Sequence, residues 1–218
     1  MNDSVNVFDI SLPATVQWVE PTTTIIANEL LDECALPPGA RVLDVGTGTG
    51  PLAEGAAQRG YRVNAIDTAP ILTTYVTGRL APFPGSTAEL MDVTAMTYPD
   101  DAFDAAFSVF TVMYLRDAVP AALAELRRVV RPGGTVAIVH WAQSSMSPIM
   151  RVLFESAEPP LDVPVDYVDA HELAAAVTRA GFLDDASSCP RPTISSPRRT
   201  TSSGSSPRST SSCRRSVR

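Results

Sequence analysis

The chain has no lysine. All 17 of its basic residues are arginine, set against 24 acids, for a formal net charge of −7. Residues 1–186 hold every acid and 10 of the arginines, so the body alone stands at −14. An acidic body disfavours general attraction to nucleic acid or to an anionic membrane surface. Cys34, Cys189 and Cys213 form no close pair, which argues against a disulfide framework or a zinc site and for a reducing, cytoplasmic compartment. The longest apolar runs, such as VAIVHWA (136–142), fall far short of a membrane span. The opening MNDSVNVFDI lacks the basic start and apolar stretch of a secretory signal. His140 and His171 are the only imidazoles.

A chain of 218 residues, 44% apolar and 19% charged, is long enough for one domain with a full core. The end of the chain is a different kind of sequence. Residues 187–218 hold twelve serines, seven arginines and no acid. Such a segment buries too little to offset its chain entropy and is expected to be disordered. It reads either as a basic Ser/Arg arm or as an accident, a frame shift near Ser187 or an artificial terminus. The abrupt change and the all-Arg, Pro-rich composition favour the accident.

The organisation is an N-terminal cap segment and helix (1–36), a main domain (37–186) and the tail (187–218). Apolar residues at helical spacing predict helices over 22–36, 51–60, 70–80, 120–130 and 171–182. Apolar runs predict strands at 41–46, 61–67, 86–93 and 135–141, and a fourth strand running into a loop over 103–113. Strand and helix alternate, and the strands are continuously apolar. That pattern implies a doubly wound, mostly parallel sheet with helices on both faces. Ligands of such sheets bind at the carboxyl ends of the strands.

One of those ends is VLDVGTGTGPLA (42–53), with Gly46, Gly48 and Gly50 at every second position. Glycine permits positive φ and close approach to the backbone. Asp67 closes the next strand 21 residues after Gly46, where a carboxylate suits the two hydroxyls of a ribose. The pair points to a nucleoside-containing ligand. A pyrophosphate site would need free N–H groups at the helix start. Pro51 removes one of them and stands where the dinucleotide pattern has its third glycine.

VLDVGTGTG with Asp67 resembles the glycine motif of class I S-adenosylmethionine-dependent methyltransferases. MDVTAMTYPDDAFDAAFS (91–108) and LRRVVRPGGTVAIV (126–139) resemble later motifs of that family, in the same order. The resemblance implies a Rossmann-like fold, S-adenosylmethionine as cofactor and methyl transfer to a small-molecule acceptor. It implies that Asp44 orients the glycine loop near the cofactor's amino group, and that Gly46, Thr47 and Gly48 line its methionine part. Asp67, with Thr68 beside it, would take the ribose. Asp92 would accept from the adenine amino group, with Val93 packed nearby, and Ser108 would stand beside the amino-acid end. His140, at the end of the fifth strand, is the plausible general base; a buried histidine satisfied by backbone is the competing reading. His171 reads as a surface or capping residue.

The segment after Ser108 reads VFTV and lacks the Asn/Asp-Pro-Pro-aromatic tetrapeptide of amino-methylating nucleic-acid enzymes. Phe8, Trp18 and residues 144–160 fit either a lid or ordinary core. The family fold ends with two more strands, but here the Ser/Arg tail stands in their place. The final β-hairpin is therefore expected to be missing, leaving the fifth strand as an apolar edge open to self-association. Two other functions remain open: a non-catalytic or defective S-adenosylmethionine binder, and an NAD-type oxidoreductase.

Overall fold

The structure, a computed structural model, describes residues 12–140, 168–184 and 211–216. Phe8, residues 144–160 and most of the tail lie outside that set, so the lid reading of the first two and the disorder expected for 187–210 are not addressed by it.

The described elements begin with two short helical turns over 12–19, which lead into α1 (Glu20–Cys34). The core then alternates: β1 (Arg41–Val45), α2 (Pro51–Gln58), β2 (Arg62–Asp67), α3 (Pro70–Leu80), β3 (Thr87–Leu90), β4 (Phe103–Val109), α4 (Val119–Val129), β5 (Val130–His140), α5 (Ala170–Arg179) and β6 (Leu183–Asp184). A further strand, β7, spans Ser211–Ser216. The sheet order is β3-β2-β1-β4-β5-β7-β6, with β1 to β5 mutually parallel. The order reverses between β1 and β4, so their carboxyl ends form the crevice in which such sheets bind ligands.

Strand periodicity divides the core. Leu43 and Val45 of β1 belong to the cluster built with Leu123 and Leu126 of α4 and Leu173 of α5. Val42, one residue out of phase, joins Leu30 of α1, Leu52 of α2 and Val76 of α3 on the other face. Because both faces are covered, successive residues are buried, and the strands read as unbroken apolar runs.

The sequence pattern places most element bounds to within two residues, but β3 stops early, β5 starts at Val130 and not at Thr135, and α5 ends at Arg179 and not at Phe182. β3 ends at Leu90, not at Val93. Asp92 Oδ1 accepts from the Thr94 amide at 2.8 Å and starts a 3₁₀ turn over Val93–Ala95, which ends the strand. β4 ends at Val109, where Phe110 takes a positive φ of 58°.

The larger correction concerns the hairpin and the sheet edge. The expected bare edge at β5 is not bare: Thr135 to His140 pair antiparallel with Ser216 to Ser211. β6 pairs with the other side of β7 through Leu183–Ser216 and Asp184–Arg215. Composition gave no sign of this strand, because a β-ladder is made by backbone groups that every non-proline residue carries. An unpaired β5 is the template that recruits such a segment.

Deleting the chain from Ser211 onward should therefore lower the melting temperature and promote self-association. Each kcal/mol lost moves the midpoint of a chain this size by about 2–4 °C, so a fall on the order of 5 °C is expected. Differential scanning calorimetry and light scattering check it; an unchanged midpoint and an unchanged monomer fraction would count against the ladder.

Candidate functional site

The three glycines of the β1–α2 loop all have positive φ, but for different reasons. Gly46 is glycine because of its own protein. A Cβ there would lie 2.1 Å from Thr111 Cγ2, while Thr111 Oγ1 donates to the Gly46 carbonyl at 3.0 Å. Gly50 faces Val76, which a Cβ would meet at 3.0 Å, and it stands just before Pro51 opens α2. At Gly48 a Cβ would meet nothing within 4 Å. Of the three, Gly48 is the one whose bare backbone borders open space.

The amides of this loop are turned inward. Gly46 and Thr47 N–H both donate to the Ile66 carbonyl, at 2.8 and 3.0 Å, and Gly50 N–H to the Thr47 carbonyl at 2.9 Å. Gly48 N–H donates to Asp67 Oδ2 at 3.0 Å. With Pro51 contributing no donor, the loop is poorly suited to cradle a phosphate, which needs several converging N–H groups.

Acids surround the loop instead. Asp44, 2% exposed, lies beneath it and accepts from Thr47 Oγ1 at 2.6 Å. Burial pushes its carboxyl up to about 7; the hydrogen bonds from Thr47 and the Ala53 amide pull it down, and the nearby Asp67 charge raises it. Thr47 thus spends its hydroxyl on Asp44, and its side chain is buried. Asp67 closes β2 half-buried and is held at both oxygens, Oδ2 by Gly48 N–H and Oδ1 by Ala69 N–H at 3.0 Å. Those two bonds fix its orientation at the end of β2. Thr68 follows it, exposed.

The remaining predicted residues sort differently. Asp92 is exposed at the end of the β3 segment, with Oδ1 also taking the Thr94 hydroxyl at 2.8 Å. Val93 is buried and packs in the core beneath it. Ser108 is 1% exposed, and its Oγ accepts from Val112 N–H at 3.3 Å, so its side chain serves the turn after β4. His140 is buried at the end of β5, two strands from β1, or ~10 Å across the sheet by ordinary strand spacing. His171 is exposed, and its amide donates to the N-capping Asp169. Thr111 was not legible beforehand, because nothing in VFTV distinguishes a threonine that packs against a glycine 65 residues away.

Taken together, the loop, the reversed strand order and the fixed acid at the end of β2 define a nucleoside-binding α/β protein without a phosphate cradle. Residues 43–138 match the family model described as a methyltransferase domain, in agreement with the resemblance to class I S-adenosylmethionine-dependent methyltransferases carried by the sequence motifs. It is 37% identical over 121 residues to malonyl-[acyl-carrier protein] O-methyltransferase of Serratia marcescens, covering 56% of this chain and 46% of that protein. With the enzyme of the same name from Halorhodospira halophila it shares 32% identity over 148 residues, covering 66% and 48%. The chain therefore spans under half the length of these curated relatives. A solved S-adenosylmethionine-dependent methyltransferase of Thermotoga maritima has the same fold, with TM-score 0.61 at 18% identity over 82% of this chain and 81% of that one. The cofactor of this superfamily is S-adenosylmethionine, and the residues present fit it. The space above Gly48 admits a ligand, the carboxylates suit hydroxyl and amine donors, and the loop makes no demand for phosphate. Among the described residues there is no cluster of metal ligands and no helix long and apolar enough to cross a membrane.

Gly46→Ala should damage the fold, since the new methyl collides with Thr111 at a φ of +64°. The left-handed conformation alone costs roughly 1–2 kcal/mol. Gly48→Val should retain helix and sheet but lose binding of S-adenosylhomocysteine. Circular dichroism, melting and calorimetry separate the two, and normal binding by Gly48→Val would make the loop a mere turn.

Asp44 gives a pH dependence of definite sign. Its folded carboxyl titrates at about 7, above the ordinary value of 3.8, so the folded state holds the proton more tightly than the unfolded chain. This contribution to stability is complete below the ordinary carboxylate range and is lost as pH rises through about 7. Asp44→Asn should flatten that part of the stability profile, measured by urea unfolding from pH 5 to 8.

Proposed function

We propose that the protein transfers the methyl group of S-adenosylmethionine to a small-molecule acceptor. The observation that carries this reading is Asp67, fixed by the Gly48 and Ala69 amides beside the open face of Gly48. In this reading Asp67 accepts from the ribose hydroxyls and Asp92 from the adenine amino group. The Gly46–Gly48 backbone passes along the methionine portion, and Asp44 holds the loop from below. Ser108 acts through the shape of the turn after β4.

The cofactor, when bound, supplies an activated methyl group on a sulfonium. The chain's part is to hold the acceptor in line with it and keep water out; positioning of this kind is worth several kcal/mol. His140 is the residue assigned to take a proton from an oxygen or nitrogen acceptor, because it ends β5 on the ligand side of the sheet. A carboxylate acceptor would arrive with no proton to remove, and His140 would then serve in binding. The two relatives named for O-methylation of a malonyl group support a small acceptor, and the acidic body supports one other than nucleic acid.

The oxidoreductase reading is disfavoured by the loop amides, which are engaged within the protein and so unavailable to a pyrophosphate. A binder without turnover is separated by activity alone. Asp67→Ala should weaken S-adenosylhomocysteine binding by at least about tenfold, the cost of a charge-assisted hydrogen bond. S-adenosylhomocysteine should raise the melting temperature of the unmodified chain and NADH should not. Unchanged calorimetric affinity in Asp67→Ala, or stabilisation by NADH alone, would sink the proposal.

A further inference from the structure

We infer that Arg79 is a positioning residue that couples the start of α1 to the cofactor loop, with Glu20 as the far end of the relay. Arg79 stands in the last turn of α3. Its Nη1 donates to Glu20 Oε1 at 2.7 Å and to the Thr49 carbonyl at 2.9 Å. Its Nε donates to Glu54 Oε2 at 3.0 Å, an oxygen that Nη2 also reaches. One guanidinium therefore touches α1, the glycine loop and α2, while it lies 5.9 Å from the centre of the Tyr75 ring. A planar fork with several donors fixes direction as well as distance, which a lysine does not.

The Thr49 carbonyl is the informative contact. Thr49 is 3% exposed and sits between Gly48, whose outer side is open, and Gly50, at φ +88°. Pulling on that peptide moves the part of the loop that borders open space. Glu20 is the second observation. Its Oε2 is buried and has no hydrogen-bond partner among the described residues. A buried unpaired carboxylate oxygen is costly. Arg79 already has Glu54, so stability alone does not call for a second carboxylate held on such terms. Glu20 opens α1 directly after the turns over 12–19, so its position is tied to the chain that precedes it.

This inference rests on reading the glycine loop as the S-adenosylmethionine site. Its test uses the full chain, the variants Glu20→Gln, Arg79→Met and the double variant, and S-adenosylhomocysteine as the probe, with melting curves as folding controls. Arg79→Met should weaken binding about tenfold. Glu20→Gln, which does not touch the loop, should weaken it several-fold, and the double variant should bind no worse than Arg79→Met alone. In hydrogen exchange, the probe should protect amides of 12–24 in the unmodified chain but not in Arg79→Met. Where Arg79→Met does not fold, Arg79→Lys replaces it, with the same loss of protection expected. Unchanged affinity in Glu20→Gln, additive losses in the double variant, or protection of 12–24 that survives at Arg79 variants would overturn the relay. Failure of the unmodified chain to bind the probe would remove the cofactor reading itself, and the relay with it.

Discussion

The carboxyl end of the sheet depends on one bridge, the hydrogen bond from Gly48 N–H to the Asp67 carboxylate. It ties the loop after β1 to the end of β2, and the paired donors from Gly46 and Thr47 to Ile66 reinforce the same junction. A loop that kept these amides free would be an anion site, as helix starts after parallel strands often are. By committing them to β2, the chain gives up phosphate and gains a carboxylate of fixed direction. That the loop is poorly suited to a pyrophosphate thus follows from where these three N–H groups point.

The bridge has a cost, and Asp44 bears it. A second carboxyl lies under the same loop, pushed up chiefly by its burial and further by the nearby Asp67 charge. Thr47 offsets part of this by donating its hydroxyl at 2.6 Å. Accumulated negative charge around an uncharged loop is poor design for a static turn and reasonable design for a site that receives a cation. Stability given up in this way is what functional sites commonly show, and it agrees with the left-handed backbone at Phe110, close to the same crevice.

Most of this architecture could be read from the sequence, for identifiable reasons. α4 was legible because its apolar residues recur at helical spacing and RPGG stops it. β1 and β2 were legible because burial on both faces makes them continuously apolar. The glycine loop was legible as a place of close approach, but not in its detail. The sequence has three equivalent glycines, whereas the fold gives Gly46 to Thr111, Gly50 to Val76 and only Gly48 to open space. Those assignments depend on contacts between residues tens of positions apart. Ser108 is similar: its place at the strand end was evident, but the Val112 amide that occupies its oxygen was not. The Arg79 fork is less legible still, since its partners come from α1, the loop and α2.

β7 escapes sequence reading for a different physical reason. Hydrophobic periodicity reports which side chains a segment must bury, and it is silent about segments held by backbone alone. β5 supplies six consecutive residues, Thr135 to His140, whose outer N–H and C=O groups need partners wherever water is excluded. Any segment able to extend alongside it meets that need, and serine and arginine carry the same peptide groups as valine. What such a segment lacks is the side-chain pattern that pins register, since a shift by two residues would cost a Ser/Arg strand little on either face. The sheet edge therefore specifies that a strand must be present there and leaves its register weakly specified.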